Sequence, residues 1–353
     1  MAPHQTQKVD KSFYIATSNL LNFALPNRTY YANMGAYSQS EYQRKLNGLH
    51  QLLRNAKADI YAFQEVWDEK ALQDLAVKLG FEPSQVLAPM ASNEPSSQLT
   101  QGKGAQDTPA LGIISKFNVI DWQLLTDFDP LAVVDIPDQG LYKSFNRPPL
   151  VVTLDVYGQP ITVITAHLKS KRPQYIRDEA GGRVEDYNDP LLRVRAKLRS
   201  LCMRAAEAAA LRLFMIDKLH NTRHPLILLG DMNDVTDSVT TQLLAETSEV
   251  IYDKSMRDVA LFDAARVQTS YGWMRDVAYT HLYQGMPEVI DQLFVSEEFL
   301  VDGKFSLGEV ERVDYFNDHL KQDYQDRYSD HGIVRAKIKL HQQIIISSTA
   351  IYP

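Results

Sequence analysis

The residues that could do chemistry in this 353-residue chain fall in six short polar clusters, each placed beside an apolar, strand-like run. They are Asn19 and Asn22 around FYIATSNL, Gln64-Glu65 after DIYAF, His167 after ITVITA, Gly230-Asp231-Met232-Asn233-Asp234 after PLILL, Ile290-Asp291-Gln292 within a run, and Ser329-Asp330-His331 before GIVRAKIKL. Side chains at strand ends can converge on one rim although they are distant along the chain. The set suits phosphate-ester hydrolysis with a hard divalent cation. Mg²⁺ takes oxygen ligands, keeps several waters and needs only one or two carboxylates plus substrate phosphate; Glu65 and Asp330 can supply these. A water nucleophile needs a base near neutrality, and His331 oriented by Asp291 fits that pair. His167, Asn233 and a basic residue can donate to the oxygens of a pentacovalent transition state.

Each cluster also has a structural reading. Glu65 could pair with a lysine, His167 could be a satisfied core histidine, Gly-Asp-Met-Asn-Asp could be a turn, and Ser-Asp-His could cap an element. Those readings would have to hold six times independently. The chain contains no Gly-x-Ser-x-Gly elbow, Walker loop, dinucleotide fingerprint or His-Glu-x-x-His, so serine hydrolase, NTPase, dehydrogenase and zinc protease chemistry lack their motifs.

The elements that must position these residues alternate between strand-like and helical patterns. Residues 13–20 read as a strand. Leu46, Leu49, Leu52 and Leu53 give residues 40–57 helical spacing, with Ser38 and Glu41 placed as a capping box. Residues 59–66 read as a strand, 68–79 as a helix stopped at Gly80, and 111–116 as a strand. Residues 150–156 and 161–167 form two strands joined by the hairpin signal Tyr157-Gly158-Gln159-Pro160. The longest helix starts at Asp189-Pro190, runs to about Leu219, and carries Leu191, Val194, Leu198, Leu201, Ala205 and Ala208 on one stripe. Further strands are expected at 225–230, 288–295 and 332–340, with a short helix at 238–246. Hairpins mixed with crossover helices imply mixed α/β sheets. The polar stretch 91–108 reads as a long surface loop.

Composition is that of an ordinary globular chain: 44% hydrophobic and 23% charged, with 16 Gly and 16 Pro. One cysteine, Cys202, excludes an intramolecular disulfide and a zinc site with more than one thiolate. The N-terminus is polar, no stretch of about 18 apolar residues occurs, and no amphipathic apolar loop stands out. A cytoplasmic monomer without stable membrane association is therefore expected of the chain as it stands, although a trimmed secretion leader would leave the same sequence. Net charge is −7, from 37 basic and 44 acidic residues, which argues against a dedicated nucleic-acid binder. The average hides an asymmetry, because Thr165 to Arg212 holds eleven Lys or Arg against six Asp or Glu. That window is either a solvated helix face or a cationic surface beside His167.

The ordered set TSNLLNF, AFQEVWD, TAHLKSKRP, LLGDMND, VIDQLFVS and YSDHGIV resembles the endonuclease/exonuclease/phosphatase superfamily, of deoxyribonuclease I-like fold, over about residues 12–340. The resemblance implies a four-layered α/β sandwich: two mixed β-sheets packed face to face, flanked by helices, with the site at one rim. It divides the chain into a flexible N-terminus (1–11), a single domain (12–343) and a C-terminal tail (344–353). It implies that Asn19, Glu65 and Asp330 form the metal site, for Mg²⁺, Mn²⁺ or Ca²⁺. Asp231 and Asn233 would orient water and phosphate, with Asp231 an alternative base. His331 backed by Asp291 would be the principal base, and His167 a general acid or a stabiliser of phosphoryl oxygens. Ser18 stands where the family commonly has an aromatic residue. The histidine of the third motif follows the deoxyribonuclease and sphingomyelinase branches and makes abasic-site repair a poor fit.

The hydrolytic centre does not choose a substrate, so the flanks must. The segment HLKSKRP resembles the form in bacterial nuclease-like members, and Lys169, Lys171 and Arg172 would lay cations along a polyanion. Arg147, before Pro148-Pro149, is a further phosphate-binding candidate. The expectation is a nuclease acting on DNA or RNA. The alternative is a phosphatase or phosphodiesterase acting on a small phosphorylated metabolite, an inositol phosphate or a phospholipid headgroup.

Overall fold

In this computed structural model the described residues are 5–28, 35–89, 108–178, 182–245, 257–270, 278–321 and 329–346. The expected loop at 91–108 lies outside them except for its last residue. Twelve strands build two six-stranded sheets among the described residues. In chain order they are β1 (Gln5–Phe23), β2 (Ile60–Val66), β3 (Val86–Leu87), β4 (Ala110–Ser115), β5 (Asn118–Leu124) and β6 (Leu150–Val156). They continue as β7 (Gln159–His167), β8 (Leu226–Asp231), β9 (Phe262–Asp263), β10 (Asp291–Val295), β11 (Gly308–Phe316) and β12 (Ile333–Ile346). One sheet has the order β11-β12-β1-β2-β4-β3, the other β9-β10-β8-β7-β6-β5.

Both sheets are mixed, as the hairpins and crossovers required. β1 runs parallel to β2 and antiparallel to β12; β8 runs parallel to β7 and antiparallel to β10. The parallel pairs are bridged by helices α1 (Gln39–Ala56) and α3 (Pro190–Leu219), the connection a parallel pair needs. Two further helices are α2 (Glu69–Lys78) and α4 (Val239–Ala245). Alternation along each strand then makes the layers. Phe13, Ile15, Ile60 and Ala62 of one sheet meet Leu150, Val152, Ile227 and Leu229 of the other in one buried core. The intervening residues face outward: Ala16, Tyr61 and Phe63 pack on α1 and α2, while Ile164, Leu226 and Leu228 pack on α3 and α4. The result is the expected four-layered α/β sandwich of two mixed sheets.

Local signals placed several elements closely. Ser38 and Glu41 form the reciprocal capping box of α1, and Asp189 Oδ1 accepts from the backbone N–H of Leu191 at 2.7 Å at the start of α3. Tyr157 and Gly158 take positive φ values of 57° and 89°, the two-residue turn that matches the twist of β6 and β7.

Three details differ from the sequence pattern. β1 pairs with β12 from Gln5↔Ile346 onward, so strand pairing begins within the segment expected to be a flexible N-terminus and ends beyond residue 343. The expected strand over 288–295 is divided between a separate ribbon, His281–Tyr283 with Met286–Glu288, and β10. The apolar stripe of α3 reaches the core only at its far end: Ala208 is buried, whereas Leu191, Val194, Leu198 and Leu201 are exposed, and Arg199, Arg204, Glu207 and Arg212 of the same helix are buried. The arginines point inward because loop carbonyls and carboxylates await them there. Arg199 meets Glu185 and Asp138, Arg204 meets Asp234, and Arg212 donates to the carbonyl of Val259.

Candidate active site

The six polar clusters meet at one rim because β1, β2, β7 and β8 end there and β10 begins there. Register alone aligns three of them: Asp231 on β8 sits opposite His167 on β7 and opposite Asp291 on β10. Gly230 makes this possible. Its φ is +143°, and a Cβ built there would lie 2.0 Å from the carbonyl oxygen of Ala166, so only glycine lets β8 lie this close to β7. The two sheets are joined beside the site by buried polar groups, with Gln64 Nε2 donating to Thr17 Oγ1 and to Thr165 Oγ1, both at 3.1 Å.

Asn19 is the link between the first two clusters and the fourth. Its Nδ2 donates to Glu65 Oε1 and to Asp231 Oδ2, each at 3.2 Å, and the backbone N–H of Asn22 donates to Glu65 Oε2 at 2.8 Å. Leu21, Asn22, Glu65 and Asn233 all adopt left-handed backbone, with φ of 50°, 54°, 62° and 53°. Such conformations cost non-glycine residues of order 1–3 kcal/mol each, and here they are held by packing around the rim. Trp67 is buried with its Nε1–H on Asn22 Oδ1 at 3.1 Å, which fixes the loop after β1.

His331 and Asp291 form a buried pair, with Nδ1 and Oδ2 2.8 Å apart. His331 Nε2 faces Asp231 Oδ2 at 3.8 Å, and His167 Nε2 reaches the same oxygen at 3.3 Å. One carboxylate therefore stands between two imidazoles. Asn233 closes the cluster, its N–H donating to Asp231 Oδ1 at 2.8 Å and its Nδ2 to the carbonyl of Leu168 at 2.9 Å. Ser329 donates its hydroxyl to the carbonyl of Asn19 and accepts from the N–H of His331 at 2.9 Å, which pins the last cluster to the first.

Burial and charge set the protonation of this group. Desolvation and the neighbouring Asp291 carboxylate push Asp231 up to about 7, against the pull of His331. Burial alone would lower His331, but Asp291 and Asp231 outweigh it and hold the imidazole well above its ordinary value. His167 goes the other way: burial, then the positive charges of Arg147 and His331, keep it far below its ordinary value and neutral. A neutral His167 can donate one hydrogen bond to a phosphoryl oxygen. Asp231, raised to about 7, and His331, held above its ordinary value, face one another across 3.8 Å and can pass a proton between them.

The donor set also fits a cation. Two groups place at least three potential ligand atoms within 4.8 Å of one another: Asp231, Asp291 and His331, and His281, Asp330 and His331. Asp330 Oδ1 and Asp291 Oδ1 are buried without a hydrogen-bond partner, as oxygens awaiting a ligand would be. Glu65 lies in neither group, and it adjoins them through Asn19.

His281 was not found from the sequence. It sits on the ribbon beside the site, its ring centroid 5.2 Å from that of His331, and its Nδ1 is buried without a partner. A lone histidine after Thr280 carries no motif; the signal would have been Thr280 itself, whose Oγ1 accepts from the N–H groups of Ile290 and Asp291, both at 3.0 Å.

The cationic candidates divide. Arg147 donates Nε to the carbonyl of His167 at 3.1 Å and Nη2 to that of Leu168 at 2.6 Å, so it braces the strand end. The N–H of Lys169 is held by the buried Glu207 at 2.6 Å, and burial, with Arg147 adding repulsion, lowers its ammonium to about 8. Lys171 lies 3.5 Å from both Asp234 and Glu288, and Arg172 is exposed.

Comparison with known proteins identifies the family. A model of the Endonuclease/Exonuclease/phosphatase family matches residues 16–331. No curated protein matches the chain in sequence. Among solved structures, the catalytic domain of human Nocturnin with bound sulfate is 15% identical, covers 96% of this chain and 98% of its own, and has a TM-score of 0.52. An endonuclease/exonuclease/phosphatase family protein from Bacteroides thetaiotaomicron is 15% identical over 94% and 99% of the two chains, with a TM-score of 0.53. A humanized D. rerio TDP2 is 13% identical over 93% and 98%, also with a TM-score of 0.53. At these identities the likeness concerns the fold. With the family match spanning nearly the whole sequence, the chain belongs to the endonuclease/exonuclease/phosphatase family, whose members are phosphoric-ester hydrolases.

Proposed function

We propose that this protein is a divalent-metal-dependent phosphodiesterase that hydrolyses DNA or RNA. The observation that carries the reading is the buried chain His167, Asp231, His331, Asp291, in which one carboxylate is held between a neutral imidazole and a carboxylate-backed one. Asn19, Glu65 and Asp330 would hold the cation, Mg²⁺ by the hardness of these oxygens, with Mn²⁺ or Ca²⁺ as substitutes. A bound cation polarises the phosphoryl oxygen and lowers the pKa of a coordinated water. His331, oriented by Asp291, takes the proton from attacking water, with Asp231 as the alternative acceptor 3.8 Å away. His167 and Asn233 donate to the oxygens of the transition state, and Lys169, Lys171 and Arg172 bind the flanking phosphates, with Arg147 fixing the strand end that carries them.

One observation favours a second reading, hydrolysis of a small phosphate ester. Arg195, Arg199, Arg204 and Arg212, which made the window basic, are tied to Asp138, Glu185, Asp234 and the Val259 carbonyl. Fewer cations remain for a polyanion than the sequence promised. The discriminating experiment is nicking of supercoiled plasmid with Mg²⁺, with EDTA and His331→Ala as controls, beside phosphate release from nucleotide monoesters and inositol phosphates. Nicking abolished by both controls is expected. An intact plasmid with phosphate released would replace the nuclease reading by the small-ester one.

A further inference from the structure

Helix α3 has two apolar sides, and the core uses only one. The other is the stripe Leu191, Val194, Leu198 and Leu201, exposed at 75%, 66%, 47% and 47%. Steps of three, four and three residues align these side chains along the helix. By the same geometry Arg195 lies on one flank of the stripe and Arg193 and Lys197 on the other, all three exposed. Neighbouring segments extend the surface. Asp138, bonded to Arg195 at 2.5 Å, belongs to the turn before Leu141, which is 70% exposed. The segment leading into the helix is tied by Glu185 to Arg199 and exposes Tyr187.

We infer that this stripe is a docking surface for an anionic lipid bilayer, with α3 lying along the headgroup plane. Charge selects the occupant. A second copy of the chain would set stripe against stripe, and in either parallel or antiparallel pairing the residues flanking the seam face one another. Antiparallel pairing would set Arg193 and Lys197 against the same cations of the other copy, and parallel pairing would set them against Arg195, whose charge Asp138 already meets. A bilayer of anionic lipid accepts both features, the leucines entering the acyl boundary and the cations meeting headgroup phosphates. Such a helix lies on a membrane; among the described residues none is long and apolar enough to cross one. The absence of stable membrane association expected from sequence rested on a polar N-terminus and on the lack of a long apolar stretch or an amphipathic apolar loop, criteria that the stripe of a helix does not meet.

Position gives the contact a consequence. The loop that leaves His167 is bonded along the same helix, with Ser200 Oγ donating to the carbonyl of Ser170 at 2.6 Å and the N–H of Gln174 to that of Ala196 at 2.9 Å. Ala196 and Ser200 are buried on the side of α3 turned away from the stripe, so docking keeps this loop, at the edge of the candidate active site, behind the helix and off the bilayer surface. The inference concerns where the protein sits and stands whichever ester is cleaved.

The test is co-sedimentation of the full chain with vesicles of phosphatidylcholine alone and of phosphatidylcholine with phosphatidylglycerol, at 0.1 M salt. With Arg195 already on Asp138, the two cations Arg193 and Lys197 at about fivefold each predict roughly a 25-fold preference for the anionic vesicles. The double variant Val194→Glu/Leu198→Glu should abolish binding, and Arg193→Glu/Lys197→Glu should remove the preference, with melting temperatures unchanged. The only cysteine of the chain, Cys202, lies at the stripe's edge and is partly exposed, so an environment-sensitive dye on it should blue-shift with anionic vesicles. Failure to sediment with anionic vesicles overturns the inference, as does binding that survives both double variants. A dimer in light scattering that Val194→Glu/Leu198→Glu dissolves would assign the stripe to a second copy instead.

Discussion

Replacing Asp291 by Asn probes the buried pair without changing its shape. Asp291 is fully buried, and its Oδ2 lies 2.8 Å from His331 Nδ1. The amide can keep that hydrogen bond through its own oxygen, but it loses the charge that stabilises the imidazolium formed when His331 takes a proton from water. A charge-assisted hydrogen bond is roughly twice as strong as a neutral one, and a low-dielectric site enlarges the difference. A loss of about 3 kcal/mol in the transition state corresponds to a fall of about 150-fold in kcat. The fold should not suffer in step, because Asn removes the like charge that raises Asp231 across the β8–β10 register. The assay is steady-state hydrolysis of a chromogenic diester by the single variants and by Asp291→Asn/His331→Ala, with a thermal melt of each. The double variant should be no slower than His331→Ala alone, since the aspartate acts through the histidine. A kcat within threefold of the parent, or losses that multiply in the double variant, would refute the pairing; a collapse in melting temperature would make Asp291 structural.

Three further outcomes follow from the same geometry. Gly230→Ala, which drives a Cβ against the Ala166 carbonyl at positive φ, should cost more than about 4 kcal/mol and yield little soluble protein, as read by expression and thermal melt. Lys169 has its ammonium lowered to about 8, so its charge is present below that pH and lost above it. KM for a phosphate-bearing substrate should rise between pH 7 and 9, and Lys169→Arg should flatten that profile; between about 8 and the ordinary lysine value the unfolded chain holds the extra proton, so stability from this group rises with pH. Arg199→Ala, which strands the buried Glu185 while Asp138 keeps Arg195, should destabilise by about 3 kcal/mol, whereas Lys197→Ala on the same helix should stay within about 0.5 kcal/mol in chemical denaturation.

What could be read from the chain was what local chemistry decides. The Ser38 and Glu41 box, the Tyr157-Gly158 turn and the Asp189-Pro190 helix start each act over a few residues, and each stands where the sequence placed it. The polar clusters were legible as a set because strand ends are where the backbone stops and side chains are free to meet. The inward arginines of α3 were not legible, since a helical wheel ranks apolar residues for the core and cannot see that Glu185, Asp138 and Asp234 wait beneath. His281 was missed for a related reason: its neighbour His331 is fifty residues away and joins it only through the ribbon at 281–288. Strand β1 was cut short at its start because residues 6–11 are mostly polar, and what extends it is backbone pairing with β12.

The most direct test of the central claim is metal-dependent hydrolysis of bis(p-nitrophenyl) phosphate by the wild-type chain and by His331→Ala. Turnover with Mg²⁺ or Mn²⁺ that EDTA removes, and that His331→Ala lowers by at least about a hundredfold with an unchanged melt, is the predicted result. Equal turnover by the two proteins, or none by the wild type with Mg²⁺, Mn²⁺ or Ca²⁺, would contradict the assignment of this cluster as a hydrolytic centre.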